Sequence, residues 1–180
     1  YGKALDDRLG CYALIKIMEN IKKSDATIYA VASCQEEVGL KGAKTSSFNV
    51  DPDFALVIDT TVAGDTPGIG ELECALKTGE GVVITAIEAS GRGLIVKKNI
   101  RDFFSSLAKK HKIKYQMSIF DGGMTDGAIV NLNRSGVPTG VLSVACRYIH
   151  SPISVCNIND LKALVNLGTK IVENITLSLK

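Results

Sequence analysis

Short apolar runs that alternate with helical segments constrain the fold of this chain more than any other feature. Five runs are rich in β-branched and apolar side chains, a composition typical of buried strands, and they cover residues 26–34, 54–61, 81–89, 114–120 and 138–146. Helix-forming segments lie beside them, at residues 8–22, 100–112, 125–136 and 159–177. This alternation predicts the α/β class, as a three-layer α/β/α sandwich around a largely parallel, mixed sheet.

The composition fits one folded unit of this class. The chain has 180 residues, of which 46% are hydrophobic, so residues 1–180 are interpreted as a single domain segment with a substantial core. The net charge of +2, with acids and bases interspersed, argues against a nucleic acid or a membrane surface as partner. No apolar stretch approaches the roughly 18 residues of a membrane span. Five cysteines without a CxxC pair favour free thiols and a cytoplasmic location.

Six side chains with metal-binding or acid–base chemistry stand where predicted strands end or helices begin. They are Asp6, Asp7, Glu36, Glu37, Asp59 and His150. In open parallel sheets the carboxyl ends of the strands meet at one edge, where ligands bind. We therefore expect these acids and the histidine to collect at one edge of the sheet.

Carboxylates gathered in this way repel one another unless cations hold them. A set of several carboxylates and an imidazole suits zinc, cobalt or manganese, and one bridging carboxylate is usual in hydrolases with two divalent metal ions. The adjacent pair Glu36 and Glu37 fits a division of labour at such a site. Glu37 would bind a metal, and Glu36 would take a proton from the attacking water.

Each of these features also has a purely structural interpretation. Adjacent aspartates at a helix start are most often caps, and paired glutamates are usually solvated. An aspartate such as Asp59 often forms a turn, and a histidine such as His150 is more often hydrogen-bonded than metal-bound. The segment "GGMTDG" (122–127) either presents backbone donors to a substrate carbonyl or is a loop capped by Thr125 or Asp126. The acids and the histidine indicate a metal site only when they are considered together.

Five motifs together resemble the glutamyl and deblocking aminopeptidases, the TET-type family of dinuclear metallo-aminopeptidases. They are "GKALDDRLG" (2–10), "QEEVGLKGA" (35–43), "VIDTTVAGDTPG" (57–68), "GGMTDGAI" (122–129) and "RYIHSP" (147–152). The motifs occur in the order and approximate spacing of that family and span nearly the whole chain. The resemblance implies a phosphorylase/hydrolase-like zinc-peptidase domain that removes the N-terminal residue from peptides with a free N-terminus.

The resemblance also implies a role for each candidate residue. Asp6 would bridge both metals, Glu37 and His150 would complete one metal site, Asp59 would bind the other metal, and Glu36 would be the general acid and base. The cofactors would be two divalent ions, zinc or cobalt, with manganese as a further option. The peptide bond between Asp6 and Asp7 would be cis.

Two features of the family are not found in these 180 residues. The family carries a further metal-binding histidine, in an HxD motif upstream of "ALDDR", and a small inserted β domain. We therefore expect these residues to form the C-terminal part of the catalytic domain, which alone holds a full ligand set for one metal only and has little or no activity. Homo-oligomers are expected for the full-length protein.

Two other functions remain open from the sequence. A glycosidase would need two carboxyl groups that flank a glycosidic bond, for which a clustered set of acids and a histidine is less suitable. A non-catalytic metal-binding or assembly fragment would have no use for Glu36 beside the ligand Glu37.

Overall fold

A computed structural model of the protein describes residues 1–70 and 73–175. The strands are β1 (Ala55–Val62), β2 (Val82–Ile87), β3 (Tyr115–Ile119), β4 (Thr139–Arg147) and β5 (Val155–Cys156). The helices are α1 (Leu5–Asn20), α2 (Lys41–Val50), α3 (Lys98–Lys110), α4 (Gly127–Val130) and α5 (Ile158–Asn174). None of the helices in this part of the chain is long and apolar enough to cross a membrane.

The strands form one mixed sheet in the order β1, β4, β2, β3, and β5 pairs with β4. β1 runs parallel to β4, with Asp59 opposite Ser143, and β2 runs parallel to β3. β2 and β5 are antiparallel to β4. The predicted α/β class with a mixed sheet is therefore confirmed.

β4 forms the centre of the core, because its first eight residues are all buried. Successive side chains of a strand point to opposite faces of the sheet, so neighbouring residues report on both layers. Gly140 faces Phe104 of α3, whereas Val141 faces Gly127 of α4. Helices α1, α3 and α5 pack on one face, and α2 and α4 contact each other on the opposite face. These are the three predicted layers.

The strand predicted at residues 26–34 is wrong. This segment is extended but belongs to no strand, and it is exposed almost throughout. Tyr29 is 65% exposed and Val31 is 44% exposed, although both are apolar side chains that a buried strand would cover. The physical reason is that a strand exists only through its neighbours, and no strand among the described residues pairs with this segment.

Two helices also differ from the prediction. The sequence did not indicate α2, whose residues "KGAKTSSFNV" include a glycine, two serines, a threonine and an asparagine, all weak helix formers. The helix predicted at residues 125–136 is a single turn, α4, followed by further turns. The final predicted helix is present as α5, and the last two of its predicted residues lie outside the described part of the chain.

The contact between Gly140 and α3 gives a test of the packing. A Cβ atom added at Gly140 would lie 2.4 Å from Phe104 Cζ and 3.1 Å from Ile100 Cγ2, both in buried side chains. We expect Gly140→Ala to lower the free energy of unfolding by about 1 to 3 kcal/mol through overpacking, measured by thermal or urea unfolding. Gly70→Ala, whose Cβ would meet no atom of the described residues closer than 3.8 Å, is the matched control. Equal stability of the two variants would contradict this account of the core.

Candidate metal centre

The candidate residues come from four separate parts of the fold. Asp6 and Asp7 stand at the start of α1 with non-helical backbone angles, and the peptide bond between them is cis, as the resemblance implied. Glu36 and Glu37 lie in the turn before α2. Asp59 lies inside β1, three residues before its end rather than at its end as the sequence suggested. His150 lies in the loop between β4 and β5.

Asp6, Glu37 and His150 form a first group whose ligand atoms all lie within 4.8 Å of one another. His150 Nε2 is 3.2 Å from Asp6 Oδ2 and 3.3 Å from Glu37 Oε2. Zinc binds such atoms at about 2.0 to 2.2 Å, and a tetrahedral arrangement then separates two ligand atoms by about 3.3 Å. The spacing of these three side chains therefore fits one divalent ion.

Asp6 also belongs to a second group, with Asp7 and Asp59, whose oxygen atoms lie within the same 4.8 Å limit. Asp6 is thus the one residue common to both groups, the position expected of a bridging carboxylate. Sequence reasoning placed Asp7 at this edge but gave it no metal, and a helix cap was the structural alternative for both aspartates. The structure shows both features, because Asp7 Oδ1 accepts a hydrogen bond from Gly10 N at 2.8 Å. The adjacent acids in "LDDR" were the sequence feature that could have indicated Asp7 as a member of this group.

Glu36 belongs to neither group. Its side chain is half-buried, whereas Glu37 is exposed and reaches His150. The two adjacent glutamates therefore point to different surroundings, which is the arrangement expected if one binds a metal and the other stays free for proton transfer.

The electrostatics of the centre are unfavourable for uncompensated carboxylates. Burial and the charge of Asp7 raise the pKa of Asp59 to about 9. Burial, with repulsion from Asp6, also raises the pKa of Asp7 to about 7. Burial and the charge of Asp126 raise the pKa of Glu36 to about 7. A divalent cation would remove this repulsion, so the donor set fits the metals that the sequence suggested.

The backbone around the centre adopts left-handed conformations that non-glycine residues seldom adopt. Such residues flank the Glu36–Glu37 turn and form part of the His150 loop, and they are Gln35 (φ 60°), Leu40 (φ 55°), Tyr148 (φ 58°) and His150 (φ 61°). Conformations of this kind persist only where the surrounding structure enforces them, and they cluster at functional sites. Their positions support the assignment of this edge as the functional site.

Comparison with known proteins agrees with this geometry. The family described as M42 glutamyl aminopeptidase matches residues 1–167. The chain belongs to this family. It is 33% identical over 172 residues to the lysyl aminopeptidase of Pyrococcus furiosus, a match that covers 95% of the chain and 47% of that protein.

Solved structures of M42-like aminopeptidases share the fold. The aminopeptidase from the archaeon Desulfurococcus kamchatkensis superposes with a TM-score of 0.94 at 40% identity, over 99% of this chain and 50% of that one. The TET1 peptidase of Pyrococcus horikoshii, described as assembling into a tetrahedron or a large octahedral shell, matches with a TM-score of 0.75 at 31% identity, over 95% and 49%. The chain thus spans about half the length of these relatives.

Burial of Asp59 in this M42 chain leads to a pH-dependent prediction for the metal-free form. The pKa of Asp59 rises from an ordinary 3.8 to about 9 on folding, so the folded state keeps a proton that the unfolded state releases. The stability that this proton provides is complete below about pH 4 and is lost as the pH rises towards 9. We expect Asp59→Asn, which is neutral throughout, to unfold at a higher temperature than the parent at pH 8 with a chelator present.

The difference between Asp59→Asn and the parent should shrink as the pH is lowered towards 4. Asp25→Asn is the control, because Asp25 is exposed in the loop after α1 and its substitution should leave the unfolding temperature unchanged. An unfolding temperature of Asp59→Asn at or below that of the parent at pH 8 would contradict the assigned burial of this charge.

Proposed function

We propose that this chain contributes the catalytic centre of a metal-dependent aminopeptidase that hydrolyses the N-terminal bond of peptides with a free N-terminus. The observation that carries the proposal is the position of His150 Nε2, at 3.2 Å from Asp6 and 3.3 Å from Glu37, with Glu36 adjacent in sequence but outside the ligand group. Membership of the M42 family supports the same reaction class.

In the proposed centre Asp6, Glu37 and His150 hold one divalent ion, and Asp6 with Asp59 holds a second. Asp7 is an additional carboxylate for the second ion. Zinc and cobalt suit this set, and manganese suits the carboxylate-rich second group. When bound, the ions polarise the scissile carbonyl and make water a stronger nucleophile at neutral pH.

Glu36 acts as general base and then as general acid in this proposal. It accepts the proton of the attacking water and passes it to the leaving amine as the peptide bond breaks. In the metal-free chain, burial and the nearby charge of Asp126 raise the pKa of Glu36 to about 7. Its half-buried position beside the ligand residue Glu37 places the carboxylate where it can accept and return a proton.

The wider biological setting is also part of the proposal. Peptides are the expected substrates, because the relatives are named as aminopeptidases. The assemblies described for the TET1 peptidase support a homo-oligomer for the full-length protein. We further propose that residues 1–180 form one segment of the catalytic domain and that the protein acts in the cytoplasm.

The arrangement of the carboxylates favours this proposal over the glycosidase alternative. A glycosidase separates its two carboxyl groups by about 5 Å or more, so that they flank one bond. Here three carboxylates, those of Asp6, Asp7 and Asp59, gather in one group instead of forming a pair. His150 Nε2 also lies 3.2 Å from Asp6 Oδ2 and 3.3 Å from Glu37 Oε2, as expected of metal ligands. Activity that a chelator abolishes and divalent ions restore would support the aminopeptidase, and chelator-resistant hydrolysis of a glycoside would overturn it.

The proposed roles of the paired glutamates can be separated by substitution. In the protein at the full length that its gene encodes, we expect Glu36→Gln to lower turnover of an aminoacyl anilide by roughly 10² to 10⁴, because the base is lost. Its zinc content should stay near that of the parent. Glu37→Gln should instead lower zinc content, measured by atomic emission on the same samples. Equal loss of metal in both variants would show that the division of roles is wrong.

The two ligand groups should differ in affinity for zinc. The group with His150 offers an imidazole and two carboxylates, whereas the group with Asp59 offers only hard carboxylate oxygens. We therefore expect the 180-residue chain to bind one equivalent of zinc tightly and a second weakly, as measured by calorimetric titration. His150→Ala should abolish the tight step, and His111→Ala, at the exposed end of α3, is the matched control. Two equally tight equivalents would contradict this ranking.

A further inference from the structure

The segment that leads into the turn of Glu36 and Glu37 is exposed and makes few hydrogen bonds. Residues 27–33, which lead into it, make only one hydrogen bond within the described part of the chain. In that bond Ser33 Oγ donates to Asp126 Oδ2 at 2.5 Å. On its other side the turn is held locally, since Gly39 N and Leu40 N donate to Glu36 O. Directly before the turn, Cys34 O accepts a hydrogen bond from Gly42 N at 2.9 Å and Gln35 O accepts one from Lys41 N at 3.3 Å, both from the start of α2. The Ser33 hydroxyl adds a bond from this segment to a different part of the fold, the loop before α4.

Asp126 is itself fixed to the sheet through its neighbour. Thr125 N and Thr125 Oγ1 donate to the Glu88 carboxylate at 3.2 and 2.8 Å. Glu88 follows β2 and is only 3% exposed. The Asp126 carbonyl also accepts hydrogen bonds from Ile129 N and Val130 N, the last two residues of α4. A continuous set of contacts therefore runs from the end of β2 through Thr125 and Asp126 to Ser33.

The Asp126 side chain does not act as a helix cap. Thr125 Oγ1 has that role, because it accepts from Gly127 N at 3.1 Å. The Asp126 carboxylate is close enough to Glu36 and Asp7 for charge repulsion, which is unfavourable by itself. Its Oδ1 atom is buried, and no group among residues 1–70 and 73–175 forms a hydrogen bond with it. Helix capping and charge therefore do not explain an aspartate here, whereas its bond to Ser33 does.

We infer that Asp126 and Ser33 are positioning residues that hold the Glu36–Glu37 turn in the geometry needed for metal binding, an inference that rests on the proposed function. Functional groups must stay within about 0.5 Å of the productive arrangement to act. Glu37 is exposed, and residues 27–33 before it make no other hydrogen bond within the described part of the chain. Residues that orient ligands from outside the metal site typically change metal affinity by 10-fold to 100-fold.

Zinc affinity of the tight site, measured by calorimetry on the 180-residue chain, tests the inference. Ser33→Ala and Asp126→Ala should each weaken zinc binding about tenfold, and the double variant should lose no more than one single variant, because both remove the same bond. Ser33→Thr keeps the hydroxyl and Asp126→Asn keeps an acceptor oxygen, so both should restore most of the affinity. Ser106→Ala is the matched control, since this exposed serine hydroxyl bonds only within α3.

Hydrogen exchange of the metal-free chain gives a second readout that does not depend on zinc. Amides of residues 35–40 should exchange faster in Ser33→Ala than in the parent, at an unchanged unfolding temperature. Unchanged zinc affinity and exchange, losses that add in the double variant, or a loss matched by general unfolding would each overturn the inference. A parent chain that binds no zinc would refute the proposed function instead, and the exchange measurement would still decide whether Ser33 and Asp126 position the turn.

Discussion

Mutual repulsion among carboxylates is the constraint on which this structure depends. Carboxylate oxygen atoms of Asp6, Asp7 and Asp59 lie within 4.8 Å of one another, and Glu36 lies close enough for charge repulsion with this group. Burial raises the pKa of Asp7 and Asp59 further, so the folded metal-free chain holds protons that an exposed aspartate would release. The energy that keeps these groups together comes from elsewhere, from the buried core in which α1, α3 and α5 pack against the sheet. The fold stabilises an arrangement that is unfavourable until a cation binds.

The segments that carry the candidate residues differ in how many interactions anchor them to the fold. Asp59 lies within β1, whose backbone is paired along its length with β4, and α1 packs against α5 through Ile17 and Gly168. The base of the His150 loop is secured by an ion pair from Arg147 to Asp65, whose carboxylate also accepts from Thr78 Oγ1 at 2.7 Å. The Glu36–Glu37 turn has no comparable anchor apart from Ser33 and the start of α2. One proposed ligand and the proposed base therefore stand on the least constrained part of the centre.

How far the sequence predicted this outcome depends on whether the deciding interactions are local. Strands β1 and β4 were predicted within one or two residues, because apolar β-branched runs and their flanking turns are local signals. Asp6, Glu37, Asp59 and His150 do lie near one another. The shared edge of parallel strands accounts only for Asp59 on β1 and for His150 after β4, since no strand precedes Glu37 among the described residues. The sequence did not place Asp7 in a ligand group, since its approach to Asp59 arises from the turn at the start of α1. Nor did it reveal the Ser33–Asp126 bond, which joins residues 93 positions apart.

Residues 26–34 have the local composition of a strand, but the predicted strand does not form. A strand also needs a partner from a distant part of the chain, which local composition does not reveal. A continuous run of apolar and β-branched side chains, which includes Tyr29 and Val31, is typical of a buried strand. Here both of these side chains face solvent, and residues 27–33 make no backbone hydrogen bond within the described chain. In the order of the sheet β1 is an edge strand, so no further strand among the described residues pairs with its outer side. Unpaired extended segments of this kind are templates for strand addition. Because this segment leads directly into Glu36 and Glu37, any strand that paired with it would also tighten the proposed metal centre.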